Sequence, residues 1–504
     1  MAKRGIKQIK IPIRPDELTI EAVEPYLSEI FQQFKANIVS IRSDYNKYCL
    51  DHKILLKVRP HDDTEVNNIV LIPDLRAMVD WKTGYIFGNP IKYAQSKSRN
   101  TDDINYLNKY VRSSCKRSID KEVGTWAFAT GVGYYFIEPK SAYFDIETES
   151  PFEIYCRESD TCAKIYSSYG GNKPLFDLLY TKIQRINKNG IKEHIDIIDL
   201  YFPDKLYTYE NPTFNNINFN RVKEQDRGLY RYLPLVEKRF NPDGIGMVAM
   251  GESMQNAADN LLSNGLDNIE DVVNEIYVYK NVNLGETPEE QKNNHTAMKK
   301  NGAVVLKSVS QDLPADLTTI STKLSLSEVV EVFSIINSIF HSTLGVPMEM
   351  SGTNSGGTTK QGSEVANGYD NAYNRALDDI NTFIKADTEL LERIIWICKN
   401  TLGSKLDDIA ASEIEIMYSI NLTDNIQTKS QAFGTFMQYM PPDMALRICR
   451  LSNDPETDGK AIEEYMKNKT ESQPVTQTDT VVEEQNQTVT ETVTETTDIE
   501  EPVS

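Results

Sequence analysis

A run of small and polar residues, Ser351-Gly352-Thr353-Asn354-Ser355-Gly356-Gly357-Thr358-Thr359-Lys360-Gln361, is the first segment of this chain that invites a chemical role. Glycines and hydroxyls at this density suggest a phosphate cradle. Such a cradle needs Gly-x-x-x-x-Gly-Lys-Ser/Thr between a strand and a helix, so that successive N–H groups wrap the phosphates and the lysine meets the outer ones. Here Gly352 is followed by Gly356 and Gly357, and Lys360 comes only after Thr358 and Thr359. The order is wrong, and the preceding pattern is helical. The glycines instead leave the backbone soft, which makes the segment a mechanical part with one charge, Lys360, rather than a catalytic site.

The remaining chemistry-bearing residues are no more concentrated. His52, His61, His194, His295 and His341 stand at no metal-ligand spacing from one another or from a cysteine. His61-Asp62-Asp63 reads as a solvated loop after Pro60, and Asp51-His52 the same way. No Gly-x-Ser-x-Gly, His-Glu-x-x-His or deaminase signature occurs. Glu289-Glu290 belongs to a charged helical surface. The expectation is no catalytic residue, no metal and no cofactor. Tyr134-Tyr135-Phe136 has the composition of a base-stacking platform, but a buried sheet face is the better reading. Basic clusters are modest: Lys3-Arg4 with Lys7 and Lys10, Arg112 with Lys116-Arg117, and Lys299-Lys300.

Composition bounds the partners. The 504 residues carry a formal net charge of −20. A protein that grips nucleic acid by neutralising phosphates needs a basic face, whereas an acidic wall lets a polyanion slide past. Cys49, Cys115, Cys156, Cys162, Cys398 and Cys449 are scattered, as expected of reduced thiols. The N-terminus lacks the apolar core of a signal peptide, and no apolar run is long enough to span a bilayer.

These segments must be positioned by an α+β, helix-rich chain. Apolar steps of three and four predict helices in Asp16–Tyr48, Asn67–Tyr85, Asp102–Ser118 and Asp120–Thr130. From Gly131 the texture turns aromatic and β-branched. An antiparallel meander is expected over Val132–Ile137, Glu153–Cys156, Ala163–Tyr166, Phe176–Ile186, His194–Tyr201 and Lys205–Tyr209. After Asn241-Pro242-Asp243-Gly244 a long helix carries Met250, Met254, Ala257, Leu261 and Leu262 on one face. A small insert follows: strand Ile276–Tyr279, helix Pro288–Lys299, strand Ala303–Lys307. Then Leu326–Phe340 returns as a helix, ending near Gly345. Beyond the Gly/Ser/Thr run a helix restarts at Ser363 and reaches Asn400, about 55 Å at 1.5 Å per residue. Strand Glu413–Tyr418 and three shorter helices precede an acidic, Thr/Glu/Gln-rich tail without Lys or Arg.

Two helices flanking an insert make an antiparallel stalk that cannot bury apolar stripes on both faces alone, which favours packing against copies of itself. This order resembles the portal proteins of tailed bacteriophages, in particular those of Gram-positive siphophages. The resemblance rests on Val79-Asp80-Trp81-Lys82-Thr83-Gly84-Tyr85-Ile86-Phe87-Gly88-Asn89-Pro90-Ile91, on Gly131-Val132-Gly133-Tyr134, on Phe240-Asn241-Pro242 before a helix, and on Gly345-Val346-Pro347 with Gly356-Gly357 and Gly362-Ser363 before the long helix. It covers roughly residues 65–465. It departs at Gly362-Ser363-Glu364-Val365-Ala366, where the family often has Ser-Gly-x-Ala-Leu.

The resemblance implies a portal-like architecture: a wing at 1–245 with the long helix 363–404, stem helices at 246–274 and 326–345, a clip at 275–325, a tunnel loop at 346–362, a crown at 405–468 and a disordered tail at 469–504. It implies a twelve-membered homo-oligomeric ring at one capsid vertex of a virion assembled in the bacterial cytoplasm. Double-stranded DNA would pass through the channel. The terminase large subunit would dock and hydrolyse ATP, then give way to a head–tail connector protein, with major capsid and scaffold proteins around. No membrane is involved. In that setting Ser351, Gly352, Thr353, Asn354, Ser355, Gly356, Gly357, Thr358, Thr359 and Lys360 would face DNA, and Lys299 and Lys300 would form cationic rings in the clip. The alternatives are an oligomeric virion or scaffold protein without DNA contact, and an enzyme with an unrecognised acidic metal site.

Overall fold

The computed structural model describes all residues other than 1–4, 59–66, 96–100, 142–144, 187–189, 191, 212–219, 229, 274–275, 281, 283–285, 302–315, 321–325, 348–361, 405, 407–408, 421–425, 450, 453–454 and 472–504. The chain is α+β and helix-rich. Residues 1–422 form one unit and 423–504 a second.

The first unit opens with strand β1 (Ile9–Ile11), whose isoleucines are buried and whose Lys10 is exposed. A short helix α1 (Ile20–Val23) is capped by Thr19, which accepts from Ala22 N–H. Pro25 sits in a tight turn ahead of α2 (Leu27–Tyr48), so the expected helix from Asp16 begins later. Helix α2 buries Leu27, Ile30, Phe31, Phe34, Ile38 and Ile41. Burial of each large side chain stabilises by about 1.5–3 kcal/mol.

Helix α3 covers Asp74–Phe87 only. The expected helix from Asn67 is corrected: residues 67–73 run extended into Pro73. Strand β2 (Lys92–Gln95) and helices α4 (Thr101–Ser113) and α5 (Lys116–Thr130) follow. The single helix expected over Asp102–Ser118 is broken at Cys115, which takes a left-handed φ of 55°.

Helix α5 turns into the sheet at Gly131. Its φ is +98°, and a Cβ there would lie 2.3 Å from the Gly244 carbonyl oxygen, so only glycine fits. The strands are β3 (Val132–Pro139), β4 (Phe152–Arg157), β5 (Cys162–Ser167), β6 (Pro174–Ile186), β7 (Lys192–Tyr201), β8 (Lys205–Asn211), β9 (Asn220–Asp226) and β10 (Leu235–Arg239). They form two sheets, not one meander. The larger runs β1-β5-β6-β7-β8-β9, antiparallel except for β1 on β5, and the smaller runs β10-β3-β4. Helix α2 packs its apolar face on the larger sheet. Helices α3 and α5 share a second core with the smaller sheet.

Helix α6 (Met247–Val273) leaves this body, followed by β11 (Ile276–Lys280), α7 (Pro288–Asn301) and β12 (Asp316–Ile320). β11 and β12 pair antiparallel. The strand expected at Ala303–Lys307 lies outside the described residues. Helix α8 (Leu326–Leu344) returns along α6, and α9 (Gly362–Lys399) is 38 residues long. Strand β13 (Ile414–Met417) pairs with β2.

The second unit holds α10 (Ile426–Phe436), α11 (Pro442–Cys449) and α12 (Pro455–Glu471). Ala445, Leu446 and Cys449 are its buried side. At Gly459 a Cβ would meet Asp443 at 2.9 Å, so α11 and α12 cross closely.

Candidate stem and long-helix site

The stalk is built from α6 and α8. Gly251 lies under the ring of Phe340 and Gly265 beside Val329, so the two helices run antiparallel. Glycine at these crossings lets the helices approach closely. Phe340, Leu344 and Val329 fill the seam.

A second face of α6 is polar. Gln255, Asp259, Ser263 and Asp267 recur every fourth residue, which stacks them on one side of a helix. All four are buried. They partner the backbone of the extended segment 67–73 as a neighbouring strand would, and that of Leu75 in the first turn of α3. Leu75 N–H donates to Gln255 (3.1 Å), Ile72 N–H to Asp259 Oδ1 (3.0 Å), Val70 N–H to Ser263 (2.9 Å) and Asn68 N–H to Asp267 Oδ1 (2.7 Å). Gln255 returns a bond to the Ile72 carbonyl at 2.8 Å. Backbone groups left unpaired in such a place would each cost about 1–3 kcal/mol, which is why the segment can stay extended. Lys57 adds a 2.6 Å ion pair to Asp267. His52 is buried, contrary to its reading as a solvated loop. Its Nδ1 lies 2.9 Å from Asp259 Oδ2 and its Nε2 3.2 Å from the Lys47 carbonyl.

Helix α9 is held by a ladder of its own. Arg375 donates to the Thr343 carbonyl at the end of α8 (3.3 Å), and Asp379 pairs with Lys82 of α3 (2.8 Å). Asp387 pairs with Lys238 of β10 (2.9 Å), Glu389 with Lys164 of β5 (2.6 Å), and Arg393 donates to the Leu235 carbonyl (2.6 Å). Gly345, with φ +70°, turns the chain out of α8 against the Arg375 side chain.

Lys238 is the centre of a buried network. Its ammonium donates to Asp387, to Tyr135 (3.1 Å) and to Tyr418 (3.2 Å). Tyr135 in turn donates to Asp120 (2.8 Å), which pairs with Lys116 at 2.6 Å. Burial pushes the Lys238 ammonium below its usual range, with Asp387 pulling the other way. Burial alone would lower Lys116 too, but Asp120 outweighs it and holds that ammonium above its usual range. Two ion pairs and two tyrosines thereby join α5, β3, β10, α9 and the segment after β13.

The site residues expected from sequence divide as follows. Ser351–Lys360 lie outside the described residues. The helices on either side, α8 and α9, are tied by the Arg375–Thr343 bond. Lys299 and Lys300 fall in the last turn of α7, and their side chains are outside the described set. Tyr134, Tyr135 and Phe136 are buried, as the sheet-face reading required. Lys116, read as part of a surface cluster, is buried in the network above. The six cysteines are free. Among the described residues, no group of three or more His, Cys, Asp or Glu is arranged to hold a metal ion. No helix among them is long and apolar enough to cross a membrane.

Sequence reasoning missed the polar ladder of α6 and the charged ladder of α9. The first was visible as Gln255-x3-Asp259-x3-Ser263-x3-Asp267, a period of four on the side away from the apolar face.

Two solved structures are among those the chain matches. One is the neck of an empty gene transfer agent particle computed with C6 symmetry (12% identity, 74% of this chain and 88% of that chain, TM-score 0.38). The other is the virion of a native gene transfer agent particle (12% identity, 74% and 88%, TM-score 0.36). No curated protein is matched by the chain. The family described as phage portal protein, SPP1 Gp6-like, is matched from residue 27 to residue 475. That match runs from α2 through both sheets, α6, the insert, α8 and α9 to the helices after it, and the chain belongs to this family of phage portal proteins.

Proposed function

We propose that the chain is the subunit of a closed ring at the portal vertex of a tailed phage, through whose axial channel double-stranded DNA is packaged and later ejected. In this reading α6 and α8 are the stem, β11–α7–β12 belongs to the clip, and α9 lies over the channel. Ser351–Lys360 face the DNA. Lys299 and Lys300 sit where the terminase large subunit docks and a head–tail connector replaces it. A Gram-positive siphophage is the host particle that the sequence resemblance favours.

The observation that carries the reading, beside family membership, is the surface of the stalk. Val332, Ile335 and Ile339 of α8 are each about half exposed (45%, 53% and 53%), while Val329, Phe340 and Leu344 of the same helix are buried. A monomer gains nothing by leaving such a stripe in water, whereas a ring of copies covers it. Neither stem helix contains a lysine or arginine, so a channel lined by them offers phosphates nothing to hold, and DNA can translate.

Negative-stain imaging of the purified full-length chain tests this. The expected particle is a ring with an axial channel. A monomer or a solid particle under all assembly conditions would sink the proposal.

A further inference from the structure

Helix α8 ends against α9, and one arginine spans the joint. Gly345 takes a left-handed φ of +70° and turns the chain out of α8. A Cβ there would lie 2.5 Å from Arg375 Cδ, 2.9 Å from its Nη1 and 3.3 Å from its Nε, so the half-buried guanidinium lies across the turn in space that only glycine leaves open. From that position Nη1 donates to the Thr343 carbonyl at 3.3 Å. This carbonyl belongs to the last turn of α8, whose oxygens have no partner within the helix and carry the negative end of its dipole. The chain beyond the turn is fixed as well. Val346 N–H donates to the His341 carbonyl at 3.1 Å, His341 Nδ1 lies 3.3 Å from the Val346 carbonyl, and Val346 and Pro347 are buried.

Helix α9 meets this corner with small residues. Ala372, Ala376 and Ile380 recur every fourth residue and are buried, Ala376 and Ile380 in one core with Phe340, Leu344 and Val346. One turn past Arg375, Asp379 pairs with Lys82 of α3 at 2.8 Å, and from there the ladder described above holds α9 to the sheets. In the other direction α9 runs on to its first residue, Gly362, about 20 Å away at 1.5 Å per residue. A tilt of about 10° at the joint would carry that end of the helix by about 3.5 Å.

We propose that Arg375 is a positioning residue: by tying the exit of α8 to α9, it sets the angle at which the leading arm of α9, residues 362–374, stands over the channel. This rests on the portal reading above. Stem and arm then move as one body, and Arg375 itself makes no contact with DNA.

Full-length Arg375→Ala and Gly345→Ala break the joint from its two sides, the first by removing the guanidinium, the second by pushing it aside with its charge intact. Both should still form rings in negative stain. Hydrogen exchange at Val346 should rise several-fold in each while the amides of α2 keep their protection, and DNA retained per particle should fall several-fold. The double variant should be no worse than Gly345→Ala alone, because the two changes remove one shared contact. The logarithmic salt slope of retention should keep its parent value in Arg375→Ala. A slope lower by about one unit, or normal retention by Gly345→Ala, would make Arg375 a phosphate contact and overturn the assignment. Unchanged exchange at Val346 in both variants overturns the joint itself. Parent rings that neither take up nor hold DNA overturn the portal reading instead.

Discussion

Lys238 of β10 and Asp387 of α9 meet at 2.9 Å with neither side chain reaching solvent. The pair joins the long helix to the centre of the wing-like body. The Lys238 ammonium also lies 4.9 Å from the centre of the Phe87 ring and 5.0 Å from that of Phe383, so it is enclosed by aromatic faces as well as by oxygen acceptors. Such pairs specify position more than they add net stability, because two charges must leave water.

Removing one partner should therefore cost far more than removing both. Lys238→Met leaves Asp387 buried without its counter-charge, held only by the Tyr418 hydroxyl, with an expected loss of about 3–5 kcal/mol. Lys238→Met combined with Asp387→Leu should recover most of that loss. Urea unfolding of the single and double variants reads the difference directly. A single variant as stable as the parent would mean that α9 is not held by this pair.

The polar ladder of α6 makes a local prediction. Asp259→Ala strips the acceptor from Ile72 N–H and from Gln255 Nε2 and removes the partner of His52 Nδ1, at about 1–3 kcal/mol for each buried group left unpaired. Hydrogen exchange should rise several-fold at Asn68, Val70 and Ile72 while the amides of α2 keep their protection. Asp259→Asn, which retains an acceptor oxygen, should show a smaller rise. Unchanged exchange in the alanine variant would show that segment 67–73 is held by something other than these side chains.

Periodicity carried most of the fold. The faces of α2 and α9 could be read from their apolar steps, because burial selects them residue by residue, whereas on α6 and α8 those steps include the exposed Ala257, Ile269 and Ile339. Segment 67–73 could not, since its apolar spacing suits a helix and only the distant side chains of α6 make the extended form cheaper. The split of the strands into two sheets was equally hidden. Val132–Pro139 is buried almost throughout, so it lacks the alternation that assigns a strand to one sheet face. Lys238 reads locally as a strand lysine, and nothing near it in sequence announces Asp387, 149 positions away. The Gly/Ser/Thr run was legible as what it is not, a phosphate cradle, because residue order alone excludes that. The wing, stem and clip roles rested on resemblance rather than on spacing.

Asp177 of β6 predicts a pH dependence. Full burial pushes its carboxyl up to about 6, against the pull of Lys164 and Arg393, while its Oδ2 accepts from Leu235 N–H at 2.7 Å. A carboxyl whose folded value is raised holds its proton more tightly in the folded state. Its contribution is full below the ordinary aspartate range and is lost as pH rises through about 6. The difference is about 2.4 kcal/mol between about pH 4 and pH 7. Asp177→Asn removes this titration, so parent stability minus variant stability should fall by roughly that amount across the interval. A constant difference would place the titration elsewhere.

Lys360 offers the sharpest test of the DNA-facing role proposed for Ser351–Gln361, since it is the only charged residue there. A weak, transient grip on a moving duplex asks for few phosphate contacts. Each one removed takes about one unit from the logarithmic salt slope of binding. Lys360→Glu replaces attraction by repulsion at every copy around a ring, and it changes none of the residues that hold α6, α8 or α9. Ring assembly should therefore survive in negative stain. Packaged DNA per particle should fall several-fold, and retention should become more sensitive to salt. Lys360→Arg should restore both, because the contact needs a cation rather than a particular shape. Normal packaging by the glutamate variant in otherwise intact particles would remove Lys360 from the channel's working parts and leave the segment a steric element alone.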